Sequence, residues 1–231
     1  MKIFCLPYAG GSSSVYSSWK NLFENCTIVP IDLPGHGMNI NMNLLDTFSK
    51  NLEFLYNKIV SEISDSEKYC IFGHSLGGLF TYEICKKIEK SDFNNPDKIF
   101  ISATKPPMCK ENYDLETDTK LKDTLIKYNA TPKEILNNEE IFSFFKPIIY
   151  NDFKVYNDYK LSDNEQQIKT KTIIFYGTKD SILCEELNNW QLLCTDDIDY
   201  YPVEGDHFFI TSNLSRLLKI IKDLINYRGC N

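Results

Sequence analysis

A serine flanked by glycines is the strongest chemical signal in the sequence. The segment Gly-His-Ser-Leu-Gly-Gly occupies 73–78 and directly follows a short apolar run over 69–72. A G-x-S-x-G sequence between a strand and a helix is typical of a nucleophile elbow, a sharp, strained turn that exposes the serine hydroxyl at a sheet edge. Glycines on both sides leave room where a β-carbon would clash. We therefore predict that Ser75 is a nucleophile.

A serine hydroxyl needs a base, and we predict that His207 supplies it from a turn before the last helical pattern. The other two histidines, His36 and His74, are interpreted as a turn residue and as a side chain packed beside the nucleophile. Asp180 follows the apolar run 172–176, so it should reach the same sheet edge and orient the imidazole. The order serine, aspartate, histidine is that of α/β-hydrolases. Three other acids remain open as alternatives to Asp180, namely Asp206, Glu204 and Asp152.

Acyl transfer through a serine also requires donors for the negative charge that develops on the carbonyl oxygen. One donor should be the backbone amide of Leu76, the residue after the nucleophile. The second should come from the loop after an early strand, here Pro-Tyr-Ala-Gly-Gly-Ser over 7–12. Its glycines allow the backbone to turn amides inward, and we select the amide of Ala9. The alternative is a plain glycine turn that starts a helix near Ser13.

The elements that must position these residues follow from the apolar pattern. Five near-continuous apolar runs predict strands buried on both faces, and a more polar sixth predicts a strand nearer an edge; the runs are 2–6, 26–31, 69–73, 98–102, 172–176 and 198–202. Helical patterns lie between them at 45–63, 76–89 and 214–224. Alternation of strands with helices predicts an α/β fold with a mostly parallel central sheet and helices on both faces.

One long segment interrupts this alternation. Residues from about 104 to 169 contain no convincing strand, and Thr-Pro-x-Glu over 131–134 indicates a helix start. We predict a helical lid insertion within a single domain that spans 1–231. Three apolar side chains of the insertion are candidates to line a substrate channel, with a core between lid helices as the alternative; they are Phe142, Phe145 and Ile149.

Composition excludes several classes of function. The net charge is −7, which disfavours nucleic-acid binding, and no apolar run is long enough to span a membrane. Pro7 interrupts the apolar N-terminus too early for a signal peptide, so we expect a cytoplasmic protein. The eight cysteines form no C-x-x-C pair, and none of the three histidines pairs with a cysteine at zinc-like spacing, so no metal site is expected.

Taken together, the motifs resemble those of type II thioesterases, the stand-alone editing hydrolases of non-ribosomal peptide and polyketide synthesis. The similarity spans nearly the whole chain, and the N-terminal and histidine segments are more specific than the elbow. The matching segments are Leu-Pro-Tyr-Ala-Gly-Gly-Ser at 6–12, Leu-Pro-Gly-His-Gly at 33–37, the elbow at 73–78, Gly-Asp-His-Phe-Phe at 205–209 and, more weakly, 147–153 with Tyr156. The resemblance implies an α/β-hydrolase fold with a triad of Ser75, Asp180 and His207.

The resemblance also implies a substrate and partners. The expected reaction is hydrolysis of acyl groups attached to the phosphopantetheine arm of carrier proteins, with the amides of Ala9 and Leu76 as oxyanion donors. No cofactor is expected in the chain itself, because the phosphopantetheine belongs to the partner. A monomer is expected. The chain departs from the family at three positions: Leu76 stands where methionine is frequent, His36 where arginine is common and Asp206 where glycine is common.

Two other functions stay open at this point. One is a different hydrolase on the same fold, either a medium-chain fatty acyl-carrier-protein thioesterase or a small-ester carboxylesterase. The other is a non-catalytic binding protein, which would have no reason to keep the full triad. Lysines of the insertion are weak candidates for docking an acidic carrier protein, the alternative being a solvated face; they are Lys105, Lys110, Lys120, Lys122 and Lys127.

Overall fold

A single parallel sheet forms the centre of the molecule. The computed structural model describes residues 1–19, 23, 26–64, 67–127, 136–162 and 167–226. The strands are β1 (Lys2–Leu6), β2 (Thr27–Pro30), β3 (Tyr69–His74), β4 (Lys98–Ser102), β5 (Thr172–Gly177) and β6 (Asp199–Val203). They lie in the order β2-β1-β3-β4-β5-β6, and within the described residues every strand pairing is parallel.

Helices connect the strands. Those in the described residues are α1 (Phe48–Val60), α2 (Leu76–Ile88), α3 (Asp118–Lys127), α4 (Glu139–Asp158), α5 (Cys184–Leu187), α6 (Phe209–Ser212) and α7 (Leu214–Asn226), with short 3-10 helices such as Ser13–Trp19. None of the helices that the structure describes combines the length and apolarity needed to cross a bilayer.

Both faces of the sheet are covered, as the near-continuous apolar runs predict. Along β1, Phe4 and Leu6 pack in a core with α1 and α2, whereas Ile3 and Cys5 pack in a second core with α7. Successive side chains of a strand point to opposite faces, so a strand between two helical layers needs apolar residues at every position. The predicted parallel sheet with helices on both faces is therefore confirmed.

Several predicted elements differ from the observed ones by one to three residues at their ends, the first long helix and the last strand among them. The first long helix begins at Phe48 rather than near position 45, because the side chain of Thr47 caps it by accepting a hydrogen bond from the amide of Lys50 at 3.4 Å. The last strand is shifted one residue along the chain and ends at Val203. Its partly exposed residues fit its place at the edge of the sheet.

The insertion between β4 and β5 has a small core of its own. It is formed mainly by α3 and α4 and comprises Leu121, Leu125, Leu136, Phe142, Ile149 and Phe153. Phe142 and Ile149 are therefore core residues of the insertion, and Phe145 is partly exposed at its surface. The helix start predicted at 131–134 lies outside the described residues. The single-domain division and the movement of this segment as a lid stay predictions.

The strand order locates the crevice of the sheet. The chain passes from β1 outward to β2 and then returns to the other side of β1 to form β3. At such a reversal the loops after the two neighbouring strands leave in opposite directions and open a crevice at the carboxyl edge. The loop after β1 contains Ala9, and the turn after β3 contains Ser75.

Candidate active site

Ser75 occupies a strained turn between β3 and α2. Its φ is 55° and its ψ is −117°, a backbone conformation that is rare for a residue other than glycine. Two hydrogen bonds join the turn to the end of β4 and the residues that follow it: the Ser75 amide donates to the carbonyl of Ser102 at 2.8 Å, and the hydroxyl of Thr104 donates to the Ser75 carbonyl at 2.9 Å. The strain is thereby maintained by the neighbouring strand β4, as expected for a nucleophile elbow.

The glycines around the elbow are required for space. A β-carbon on Gly73 would overlap the carbonyl of Gly77, and one on Gly78 would overlap the hydroxyl of Thr104. From the sequence, these glycines are expected to make room for the strained backbone at the serine. The structure adds a second reason, because α2 packs against the neighbouring backbone more closely than a methyl group allows.

Gly77→Ala should therefore destabilise the fold by about 1–3 kcal/mol through overpacking. Alanine ordinarily stabilises a helix relative to glycine by about 1 kcal/mol, so the expected sign is opposite to helix propensity. The cause is steric, since a β-carbon at position 77 would overlap the carbonyl oxygen of Leu6. Urea unfolding followed by circular dichroism measures the change, with the exposed Lys90→Ala as a control. An increase in the free energy of unfolding for Gly77→Ala would contradict the predicted clash.

The structure brings the three predicted triad side chains together. Nε2 of His207 lies 3.0 Å from Oγ of Ser75, and Nδ1 of His207 lies 2.8 Å from Oδ2 of Asp180. Both distances are those of hydrogen bonds. The Asp180 carboxylate can accept only, so Nδ1 carries a proton and Nε2 of the neutral ring is left to accept from the hydroxyl. This geometry allows the imidazole to take the proton of Ser75.

Asp180 is held in its ionised form despite burial. Burial raises the pKa of this carboxyl, but the hydrogen bond and the Coulomb attraction of His207, together with the amides of Ser181 and Ile182, outweigh it and lower the pKa. A side chain that stays an anion can hold the ring tautomer and stabilise the imidazolium that forms during proton transfer.

His74 lies beneath the triad and supports its backbone. Its Nε2 is 2.9 Å from the carbonyl of His207, and its Nδ1 is 2.9 Å from the hydroxyl of Ser102. Burial, reinforced by the nearby His207, lowers the pKa of His74 to about 3, so the ring is neutral. A neutral ring donates from Nε2 and accepts at Nδ1, which matches both partners. The packing role predicted for His74 agrees with these contacts.

The alternative acids are engaged elsewhere. Asp206 accepts a hydrogen bond from the amide two residues after it at 2.9 Å, and the exposed Glu204 faces Lys179 at 3.5 Å. Asp152 lies 2.9 Å from Nε2 of His36, a contact between buried groups that the sequence did not indicate. The carboxylate that faces His207 is therefore the one predicted from strand position.

The predicted oxyanion donors line the cavity beside the nucleophile. A cavity of about 370 Å³ has Ala9, Leu76, Ser75 and His207 in its wall, together with aromatic residues. Leu76 is the first residue of α2, so its amide is among those at the helix start that have no partner within the helix. An adjoining cavity of about 400 Å³ also reaches Ser75 and His207.

Most of the aromatic residues that line the cavity beside Ser75 were not predicted from the sequence. Tyr113, Phe153 and Tyr156 form the insertion's side of the cavity. The available signal was the spacing of Phe153 and Tyr156, which are three residues apart on α4 and so share a helix face. Tyr113 precedes α3, and no pattern in the sequence distinguishes it from other tyrosines.

Comparison with known proteins identifies the family of this chain. Residues 1–225 match the family model described as a thioesterase domain. Gramicidin S biosynthesis protein GrsT of Aneurinibacillus migulanus is 26% identical over 231 residues, covering 96% of this chain and 87% of that protein. The medium-chain S-acyl fatty acid synthase thioesterase of Rattus norvegicus is 22% identical over 220 residues, covering 90% of this chain and 81% of that protein.

The fold is also found in solved structures. ClbQ from the colibactin NRPS/PKS pathway superimposes with a TM-score of 0.88 at 27% identity, covering 97% of this chain and 96% of that one. The shared architecture is the parallel sheet with helices that the sequence predicts, so the α/β-hydrolase fold class is confirmed. With its family model matched over nearly the entire length, this chain belongs to the thioesterase domain family and is an enzyme that hydrolyses thioesters.

Proposed function

We propose that this chain is an editing thioesterase of non-ribosomal peptide or polyketide synthesis, which removes acyl groups from the phosphopantetheine arms of carrier proteins. The observation that carries the proposal is the line of hydrogen bonds from Asp180 through His207 to Ser75 beside a cavity. Similarity to GrsT, a gramicidin S biosynthesis protein, supports the carrier-bound substrate. We propose that the protein acts in the cytoplasm as a monomer.

The first half of the proposed reaction forms an acyl-enzyme. Oγ of Ser75 attacks the thioester carbonyl carbon while Nε2 of His207 takes the hydroxyl proton. The amides of Ala9 and Leu76 donate to the oxygen that becomes negative. The carbon–sulfur bond then breaks, and the pantetheine thiolate takes the proton from His207. A thiol has a pKa of about 8.5, so it leaves with less need for protonation than an amine would.

The second half releases the acid. Water enters the position of the thiol, and His207 accepts its proton as the oxygen attacks the acyl carbon. The ester bond to Ser75 breaks, and the proton returns from His207 to Oγ. The carboxylic acid leaves, and the side chains return to their starting state. These steps use only groups of the chain and water, so the proposal includes no cofactor other than the arm of the carrier protein.

The lysines of the insertion do not identify a docking surface for a carrier protein. Of the insertion's lysines, Lys105 lies 3.0 Å from Glu186, and Lys120 pairs with Asp114 and Glu116. Lys105 is only 17% exposed, and both lysines already pair with acidic side chains of this chain, which favours neither as a dedicated surface for an acidic partner. The proposed carrier interaction therefore rests on the family and the cavity rather than on a basic patch.

A substrate comparison tests the proposal. Purified enzyme is offered acetyl and aminoacyl groups on a peptidyl carrier protein, the same groups on free pantetheine, and p-nitrophenyl acetate. We expect kcat/KM for the loaded carrier protein to exceed that for the free thioesters by about 10-fold or more, because interactions with the remote carrier contribute to transition-state binding. Equal or lower values for the loaded carrier would contradict the editing proposal.

Similarity to the rat medium-chain enzyme supports a second candidate, a thioesterase that terminates fatty-acid synthesis. A chain-length series on an acyl carrier protein separates the two. A preference for chains of eight to twelve carbons over acetyl would favour this candidate. A preference for p-nitrophenyl acetate with no carrier activity would instead favour a small-ester carboxylesterase.

A further inference from the structure

The loop that carries Ala9 is a tight turn. The amide of Gly11 donates to the carbonyl of Tyr8 at 2.9 Å, which closes a β-turn with Ala9 and Gly10 as its central residues. Gly10 has a φ of 73°, the left-handed value that glycine adopts at the third position of such turns. The closing hydrogen bond uses neither central amide. The orientation of the Ala9 amide therefore depends on what holds the middle of the turn.

A buried carboxylate on the insertion binds the second of these central amides. The amide of Gly10 donates to Oδ2 of Asp152 at 2.6 Å, a short hydrogen bond typical of an ionised acceptor. Asp152 lies on α4 and is 1% exposed. A hydrogen bond between groups 142 residues apart connects the insertion directly to the oxyanion turn.

His36 compensates the buried carboxylate. Its Nε2 lies 2.9 Å from the same Oδ2, and its Nδ1 lies 3.0 Å from the carbonyl of Pro34. Both partners are acceptors, so the ring satisfies them only as an imidazolium that donates from each nitrogen. Burial lowers the pKa of His36, but Asp152, the Pro34 carbonyl and the charge of Asp32 outweigh it and raise the pKa. The hydrogen bonds at both ring nitrogens thus offset part of the cost of burying the two charges.

The turn also packs directly on α4. A β-carbon on Gly10 would lie 2.9 Å from Cγ1 of Ile149, and Ala9 packs against the core of the insertion. Ile149 and Asp152 are three residues apart, so they share one face of the helix. The turn is thus held from one side by apolar contact and by a hydrogen bond at its centre.

We propose that Asp152 is a positioning residue that fixes the backbone of Gly10 and thereby aims the amide of Ala9 at the oxyanion. The inference rests on the proposed function, because it assumes that Ala9 is an oxyanion donor. Asp152 contacts neither Ser75 nor His207 in the described contacts, so it acts through the turn. The placement of the insertion and the orientation of the Ala9 amide are therefore coupled through this hydrogen bond.

Substitution at two aspartates of α4 tests the proposal. Asp152→Ala removes the acceptor, whereas Asp152→Asn can keep an oxygen at the same position. Loss of an oxyanion donor lowers kcat about 10²- to 10³-fold, and misalignment should cost part of that, so we expect about 10- to 100-fold for Asp152→Ala. KM should change less than about twofold, because the interaction forms in the transition state. Asp152→Asn should recover most of the lost kcat.

Asp158 provides the matched control. It also lies on α4 and accepts a backbone hydrogen bond, from Phe48 at 2.9 Å, but that amide belongs to the start of α1. Asp158→Ala should leave kcat close to that of the wild type. Equal losses for Asp152→Ala and Asp158→Ala, or a loss confined to KM, would show that seating of the insertion matters without any effect on the oxyanion donor, and would overturn the proposal.

A boronic acid measures the oxyanion site separately from the substrate. Phenylboronic acid accepts a lone pair from Oγ of Ser75 and becomes a tetrahedral anion, so its inhibition constant should rise with the loss of kcat. If Asp152→Ala does not fold, Asp152→Asn is used to test the proposal. The chemical shift of the Gly10 amide proton, measured by NMR, then reports whether the hydrogen bond to residue 152 is kept. A small upfield shift of this resonance, with an equally small loss of kcat and rise of the inhibition constant, supports the proposal. A large upfield shift, which reports loss of the hydrogen bond, with both constants unchanged would overturn it.

The choice of substrate separates this inference from the proposed function. All kinetic measurements use p-nitrophenyl acetate, which needs the triad and the oxyanion donors but no carrier protein. Failure with loaded carrier proteins alone would reject the editing function and leave the positioning role of Asp152 intact. Normal boronate inhibition in Asp152→Ala would reject the positioning role and leave the editing function intact.

Discussion

Ser75→Ala is expected to lower kcat for thioester hydrolysis by about 10⁴-fold or more, in line with removal of the nucleophile from other serine triads. Oγ is the only atom of the side chain within hydrogen-bond distance of His207, and without it no acyl-enzyme can form. The β-carbon remains, so the elbow keeps its shape. Single-turnover measurements on an acetyl-loaded carrier protein, with release of acetate followed directly, give the comparison.

The exposed Ser14→Ala is the control for this change. It removes a hydroxyl from the 3-10 helix Ser13–Trp19, where its partner is Ser12. Its kcat should stay close to that of the wild type. If folded Ser75→Ala kept more than about a hundredth of the wild-type activity, Ser75 could not be the nucleophile. A loss of less than about 100-fold is far smaller than the losses seen when a triad member is removed.

The second large effect is expected for Asp180→Asn, with kcat lower by about 10³- to 10⁴-fold. An asparagine amide can donate to Nδ1 of His207, and the ring then carries its proton on Nε2, facing Ser75. In that tautomer the imidazole cannot accept the hydroxyl proton. Removal of the charge also destabilises the imidazolium formed later in the reaction. Pre-steady-state release of the thiol reports the acylation step that should slow.

Asp206→Asn is the matched control, since Asp206 adjoins His207 in the sequence but accepts a hydrogen bond from the amide of Phe208. Its kcat should fall by no more than a few-fold. A larger loss in Asp206→Asn than in Asp180→Asn would exchange the roles of the two acids. That outcome would also contradict the inference from strand position that selected Asp180.

The triad was predictable because its members follow strand ends. Parallel strands place their carboxyl ends at one edge, so a serine after β3, an aspartate after β5 and a histidine after β6 must converge. The apolar runs located the strands, and motif chemistry located the serine. Errors of one to three residues at element ends did not matter, because every candidate still fell in a loop at the correct edge.

The contact of His36 with Asp152 was not predictable in the same way. The two residues are 116 positions apart, and one of them lies in an insertion whose packing on the sheet is set by apolar contacts rather than by strand register. Periodicity reveals which face of α4 is apolar but not which loop it covers. The aromatic wall of the cavity, including Tyr113, also depends on how the insertion packs over the sheet, which the sequence pattern does not reveal.

The distance along the chain between the reacting groups has a consequence for how the enzyme becomes active during its own translation. Ser75 and His207 are 132 residues apart, and the strand that precedes the histidine is the last to be translated. Domains generally fold as units, so the sheet that brings Ser75 and His207 together is complete only after β6 has left the ribosome. A nascent chain that has emerged only as far as β4 holds an inert hydroxyl. Hydrolytic capacity is therefore acquired late, and incomplete translation products would not hydrolyse thioesters.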